Sequence, residues 1–196
     1  MSPLVVMLGI VVAVLLWVAL AYNALVRIRQ QVRESWSGID TELKRRYDLI
    51  PNLVQTVKGY AAHEREVFEA VTEARSRAAA STGGADSQSR DEKQLVASMN
   101  RLLAVAEGYP ELKASANYLE LQKELANTED RIQSVRRFYN ANVRDMNTRI
   151  EVFPSNIIAS MFGFRPEQFF EVERSVIRRA VDVNFTDQDP PSPSET

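Results

Sequence analysis

The nineteen residues from Leu4 to Tyr22 carry no charged side chain. As a helix they reach roughly 28 Å, close to the hydrocarbon thickness of a bilayer. Leu4, Val5, Leu8, Val11, Leu15 and Leu20 are read as membrane-spanning. Trp17 and Tyr22 belong to the same run and lie toward its far end, where amphipathic rings favour the interface. A buried core helix would need apolar partners all round, and the rest of the chain offers too few. A cleaved signal peptide is the other alternative, because Ala19-Leu20-Ala21 could pass for a small-residue cleavage site. Met1-Ser2-Pro3 has no Lys or Arg, however, and the apolar run is longer than a usual signal core. The expectation is a single-pass, uncleaved anchor over residues 1–24. Arg27, Arg29 and Arg33 follow the span and nothing basic but the α-amino group precedes it. Positive charge tends to stay cytoplasmic, so the C-terminal domain is expected inside an inner (plasma) membrane, with the N-terminus outside.

At 196 residues, the remainder suffices for one domain. It is expected over residues 25–185, followed by a Pro-, Ser- and Asp-rich disordered tail over 186–196. A net charge of −2 with interspersed acids and bases argues against nucleic acid, which needs a concentrated basic surface. The absence of cysteine excludes disulfides and thiolate metal sites.

Apolar residues at Leu25, Ile28, Val32, Trp36, Ile39 and Leu43 recur at helical steps and extend the anchor as one helix to about Tyr47. Gly38 weakens it locally or lets another helix approach. Lys44-Arg45-Arg46 then reads as a solvated helix end, where cations are favourable against the dipole. Asp48 can cap a second helix with Pro51 in its first turn, ending near Ala80. A third helix carries Leu95, Val96, Met99, Leu102, Leu103 and Ala106 and stops at Gly108-Tyr109-Pro110. The fourth runs from about Glu111 to Val152, its stripe interrupted near Tyr139 by two successive steps of four. Short connections between long amphipathic helices predict an all-α fold, in which the transmembrane helix continues into an antiparallel up-down four-helix bundle.

In that topology the fourth helix descends, so Phe153 to Phe164 falls near the bilayer. Ile157, Ile158, Met161 and Phe162 either plug the open base of the bundle or form a membrane-proximal foot in the headgroup region. Beyond them, Arg165 to Ala180 reads as partly helical with a face of Phe169, Phe170, Val172, Val176 and Ile177. Val181 to Phe185 alternates like a short strand.

Chemistry is sparse. His63 is the only histidine, and His63-Glu64-Arg65-Glu66-Val67 begins like a zinc-protease motif but lacks the second His. The Glu-x-x-His repeats of a di-metal bundle are absent, and Thr82-Gly83-Gly84-Ala85 has neither the strand nor the lysine of a phosphate loop. No cofactor or metal is expected. An enzyme would require a buried cluster of ionisable groups, whereas the stripes read apolar.

Several segments together resemble the bacterial LemA family. They are Tyr22-Asn23-Ala24-Leu25-Val26, Trp36-Ser37-Gly38-Ile39-Asp40, the run Leu43-Lys44-Arg45-Arg46-Tyr47-Asp48-Leu49-Ile50-Pro51-Asn52-Leu53-Val54, and Val57-Lys58-Gly59-Tyr60. Tyr139-Asn140, Phe153-Pro154-Ser155-Asn156 and Phe162-Gly163-Phe164 add to them. The resemblance spans residues 4–173 and implies a single-pass inner-membrane protein with a soluble helical bundle. It supplies no catalytic residue. The expected function is a membrane-tethered scaffold or adaptor for other membrane proteins, with possible self-association. Lys44, Arg45, Arg46, Lys58 and His63 are its candidate partner contacts. A membrane-tethered sensor or regulator in an envelope-stress or signalling pathway is the rival.

Overall fold

The computed structural model describes residues 2–171, and among them there are six helices and no strand. The longest, α1 (Pro3–Lys58), buries Leu25, Ile28, Val32, Ser35, Ile39, Leu43, Arg46, Ile50, Leu53 and Val57 along one face. Every step is three or four residues, and the phase runs unbroken through Asp48 to Asn52. The helix runs through as well, for 56 residues. The expected reversal at Asp48–Asn52 is thus incorrect, and the chain turns at 59–64 instead.

Pro51 is tolerated in mid-helix for an identifiable reason. Its missing N–H leaves the Tyr47 carbonyl, four residues back, without its helical donor. Arg75 on α2 (Arg65–Ala80) supplies one, its Nε donating to that carbonyl at 2.6 Å. Arg75→Met is expected to cost about 1–2 kcal/mol by stranding the carbonyl. The cost should shrink in a Pro51→Ala background, where the helix regains its own donor, and a urea-unfolding double-mutant cycle measures that coupling.

From the turn, α2 descends, α3 (Ala85–Glu107) rises, a short α4 (Pro110–Lys113) crosses over, and α5 (Ala116–Glu151) descends beside α1. The expected continuous helix from Glu111 is instead broken at Ala114–Ser115. Gly108 and Pro110 take the predicted positions at the end of α3 and the start of α4. On α5 the buried positions Tyr118, Leu125, Thr128, Ile132, Tyr139, Val143 and Met146 form one mostly apolar face, with the two steps of four around Tyr139 that the sequence predicts.

Trp36 of α1 meets Tyr139 of α5 at 5.3 Å. Each helix has paired steps of four at this level, Ser35–Ile39–Leu43 on α1 and Val135–Tyr139–Val143 on α5. The two local eleven-residue periods keep the facing seams in phase. Gly38 is not needed for close approach, since a Cβ there would sit 3.9 Å from Val135 Cγ1, an ordinary contact. Gly38→Ala is therefore expected to stabilise the bundle by about 0.5–1 kcal/mol through helix propensity, read as a raised melting temperature.

After α5, the short α6 (Ser155–Met161) lies at the base, where Phe162 and Phe164 stack against Tyr22 at 4.7 and 6.0 Å. Residues 165–171 form a strap without regular secondary structure, and the rest of the Arg165–Ala180 stretch expected to be partly helical lies outside the described residues. Val172, Val176, Ile177, the Val181–Phe185 strand and the 186–196 tail lie outside the described residues.

Candidate functional site

Three places in this architecture concentrate polar or unpartnered groups. The first is a buried ionic node. Arg46 stands on the core stripe between Leu43 and Ile50 and is fully buried. Its Nη1 donates to Glu129 Oε1 on α5 at 2.7 Å, and its Nη2 to Glu92 Oε2 on α3. The Tyr47 hydroxyl donates to the other oxygen of Glu92, and Gln88 Nε2 reaches that oxygen at 2.9 Å and the Tyr47 hydroxyl at 3.0 Å. One guanidinium therefore ties three helices together, while its Nε is buried without a partner. Arg46 is not an exposed docking cation, and the stripes are not wholly apolar.

Burial pushes the Tyr47 hydroxyl up to about 12, with the Arg46 charge opposing that rise. Burial, aided by Glu167, likewise pushes Tyr139 up to about 12. Between pH 10 and about 12 the unfolded tyrosines lose protons that the native ones keep, so folding stability is complete below pH 10 and falls as pH rises through that window. An alkaline melting series should show the fall, with Tyr47→Phe and Tyr139→Phe each flattening it.

The strap is the second place. Asn140 clamps residue 170 from both sides, its Nδ2 donating to the Phe170 carbonyl at 3.1 Å and its Oδ1 accepting the Phe170 N–H at 2.9 Å. Asn147 does the same to Glu167, at 3.0 and 2.9 Å. The Tyr139 hydroxyl donates to Gln168, and Glu171 donates its N–H to Ser89 on α3. Phe170, fully buried, sits edge-on to Trp36 at 5.6 Å. Beside the strap lies an open groove of about 710 Å³ whose lining includes Lys93, Arg136, Arg137 and Arg144 against Glu171.

The third is the base. Ile158 and Ala159 are buried and pack into the core, so Ile158 belongs to the plug rather than to an exposed foot. Ile157, Met161 and Phe162 point outward. Of the remaining candidate contacts, Lys58 is exposed at the end of α1 and His63 in the turn after it, and Lys44 and Arg45 are exposed partway along the helix. The chain's continuity through Pro51 separates these two groups along the helix. Among the described residues no cluster of His, Asp and Glu is placed to hold a metal.

Glu92, Glu129, Gln88, Arg75, Asn140 and Asn147 were missed as structural groups. For Arg46 and Glu92 a signal existed: Leu43–Arg46–Ile50 and Gln88–Glu92–Leu95 keep the core period. Asn140 and Asn147 are seven apart, which places them on one face of α5. Their partners, though, are backbone groups of an irregular segment that no periodicity identifies.

The N-terminal part of α1, long and apolar enough to cross a bilayer and unburied, runs without a break into an all-helical bundle. That combination defines a membrane-associated helical-bundle protein. The chain belongs to the LemA family, whose profile matches residues 35–185. Among curated relatives, the magnetosome protein MamQ 2 of Paramagnetospirillum magneticum is 26% identical over 82% of this chain and 68% of its own length. Magnetosome protein MamQ of Magnetospirillum gryphiswaldense is 25% identical, covering 86% and 73%. Protein LemA of Metamycoplasma hominis is 28% identical, covering 78% and 71%.

Proposed function

We propose that this protein is a non-enzymatic scaffold, anchored through Leu4–Tyr22, that holds other membrane proteins at a set distance from the bilayer. The observation that carries the reading is the unbroken helix α1. From Tyr22 to Lys58 it is a post of roughly 54 Å, braced along its length by α5 and locked to α3 and α5 by Arg46. A hinge at Asp48 would have let the tip move; a continuous helix presents Lys58, Tyr60 and His63 at a defined height. The carboxylates of the buried node are engaged by Arg46, and Glu92 also by Tyr47 and Gln88, which favours a fastening over a catalytic role. The partner-facing surfaces in this reading are the tip, the mid-height cations Lys44 and Arg45, and the basic groove at Lys93 and Arg137. The names of the MamQ relatives, proteins of a magnetosome, are consistent with work at an organised membrane.

Arg27, Arg29 and Arg33 support a cytoplasmic bundle in an inner membrane. A C-terminal reporter active only outside the cytoplasm overturns that orientation. Photo-crosslinkers at Lys58, His63 and Arg137, followed by mass spectrometry from intact cells, test the scaffold itself. The expected result is a small, reproducible set of membrane proteins, differing between tip and groove. Recovery of nothing but abundant neighbours, the same at every position, contradicts it.

A further inference from the structure

Among the described residues, nothing covers the outward face of the base. Phe153, Ile157, Met161 and Phe162 are between 50% and 75% exposed. They form an apolar surface of the kind that soluble domains usually cover. Its height is fixed by a ring contact: Phe162 packs at 4.7 Å on Tyr22, at the far end of the Leu4–Tyr22 segment read as the span. Cations stand just beyond. Arg29 lies over the Phe164 ring at 4.8 Å, and Arg27 and Arg165 are exposed. Apolar side chains at the level where the span ends, with arginines on the side away from the span, match the layering of acyl chain below phosphate.

We propose that this face is a second membrane contact: Phe153, Ile157, Met161 and Phe162 enter the headgroup region of the bilayer that Leu4–Tyr22 crosses, and Arg27, Arg29 and Arg165 meet lipid phosphates. The proposal rests on the anchor reading and adds to it. A single span lets a bundle tilt and swivel; a span plus a foot fixes both. Continuity with the span is what selects lipid as the occupant over a second copy of the chain, because Tyr22 and Phe162 share one aromatic cluster at the membrane boundary. Ile158 and Ala159, buried on the opposite side of α6, hold the foot to the bundle so that its outward face cannot retreat into the core.

The chain has no cysteine, so single spin labels report one position each. Ile157→Cys, Met161→Cys, the tip control Ala62→Cys and the span control Val11→Cys are made in the full chain. Each is placed in vesicles of phosphatidylethanolamine and phosphatidylglycerol. Collision with oxygen, which concentrates in lipid, is compared with collision with a water-soluble nickel chelate. Ile157 and Met161 are surface positions, so unchanged melting shows that the labelled bundles are folded. The expected oxygen-to-nickel ratio at both is several-fold above that at Ala62 and shifted toward that at Val11. If both match Ala62 while Val11 stays lipid-like, the foot is overturned and the anchor stands. Shielding of both from both agents means that a protein covers the face, which also overturns the proposal. A water-like Val11 removes the anchor, and the foot with it.

Discussion

Arg46→Met is expected to lower the unfolding free energy of the bundle by about 3–5 kcal/mol, the usual result of removing one partner from a buried ion pair. The reason is what remains. Glu92 is fully buried and Glu129 nearly so, and each uses Arg46 as its charge partner. Without the guanidinium, two carboxylates face one another across the core with only Tyr47 and Gln88 donating to one of them. Adding Glu92→Gln and Glu129→Gln should recover much of the loss, because no buried charge then lacks a counterion. Arg46→Lys should fall between, since a single ammonium cannot span two carboxylates on different helices as a planar fork does. Urea unfolding of the four proteins decides the matter. A cost under about 1 kcal/mol for Arg46→Met would place the residue at a solvated surface, where ion pairs contribute little.

The second large effect lies at the strap. Phe170→Ala is expected to cost about 3–5 kcal/mol, the range for truncating a buried phenylalanine, because Phe170 fills the corner made by Trp36 and its neighbours. Its loss should also release residues 165–171, raising their amide exchange well before the helices open. Asn140→Ala removes two hydrogen bonds to the same residue while leaving the ring, so it should loosen the strap with a smaller fall in melting temperature. If Phe170→Ala melts like the parent, the strap is not part of the core.

The helical class, the seam of the fourth helix and the return of the chain to the base could all be read from periodicity. They depend on apolar side chains repeating along a helix, which one sequence displays directly. The Asp48–Asn52 segment misled because a local pattern, an acidic cap with proline three residues on, is the same at a helix start and inside a helix whose carbonyl is rescued from elsewhere. The rescuer, Arg75, is far away in sequence. Phase held the answer: Leu43, Arg46, Ile50 and Leu53 continue one face with no reset, which a new helix packing independently would have no reason to preserve. Arg46 itself was assigned to the surface because three consecutive cations read as solvated. Of Lys44, Arg45 and Arg46, the spacing from Leu43 to Ile50 puts only Arg46 on the core stripe. The clamping of the strap by Asn140 and Asn147 depends on backbone partners in an irregular segment, and sequence patterns are silent there. At the base, Ile158 of one short helix faces in, as the plug alternative expects, while Ile157 and Met161 face out.

The central claim is that α1 is a single rigid post from the membrane boundary to the tip. Spin labels at Asn23→Cys and Lys58→Cys in the reconstituted full chain test it by dipolar distance. A continuous helix predicts a narrow distribution near about 52 Å, from 35 residues of helical rise. A reversal at Asp48–Asn52 would fold Lys58 back beside the rising helix and give roughly 30 Å by the same rise. A distribution centred there, or one spread broadly between the two, contradicts the post and the scaffold reading built on it.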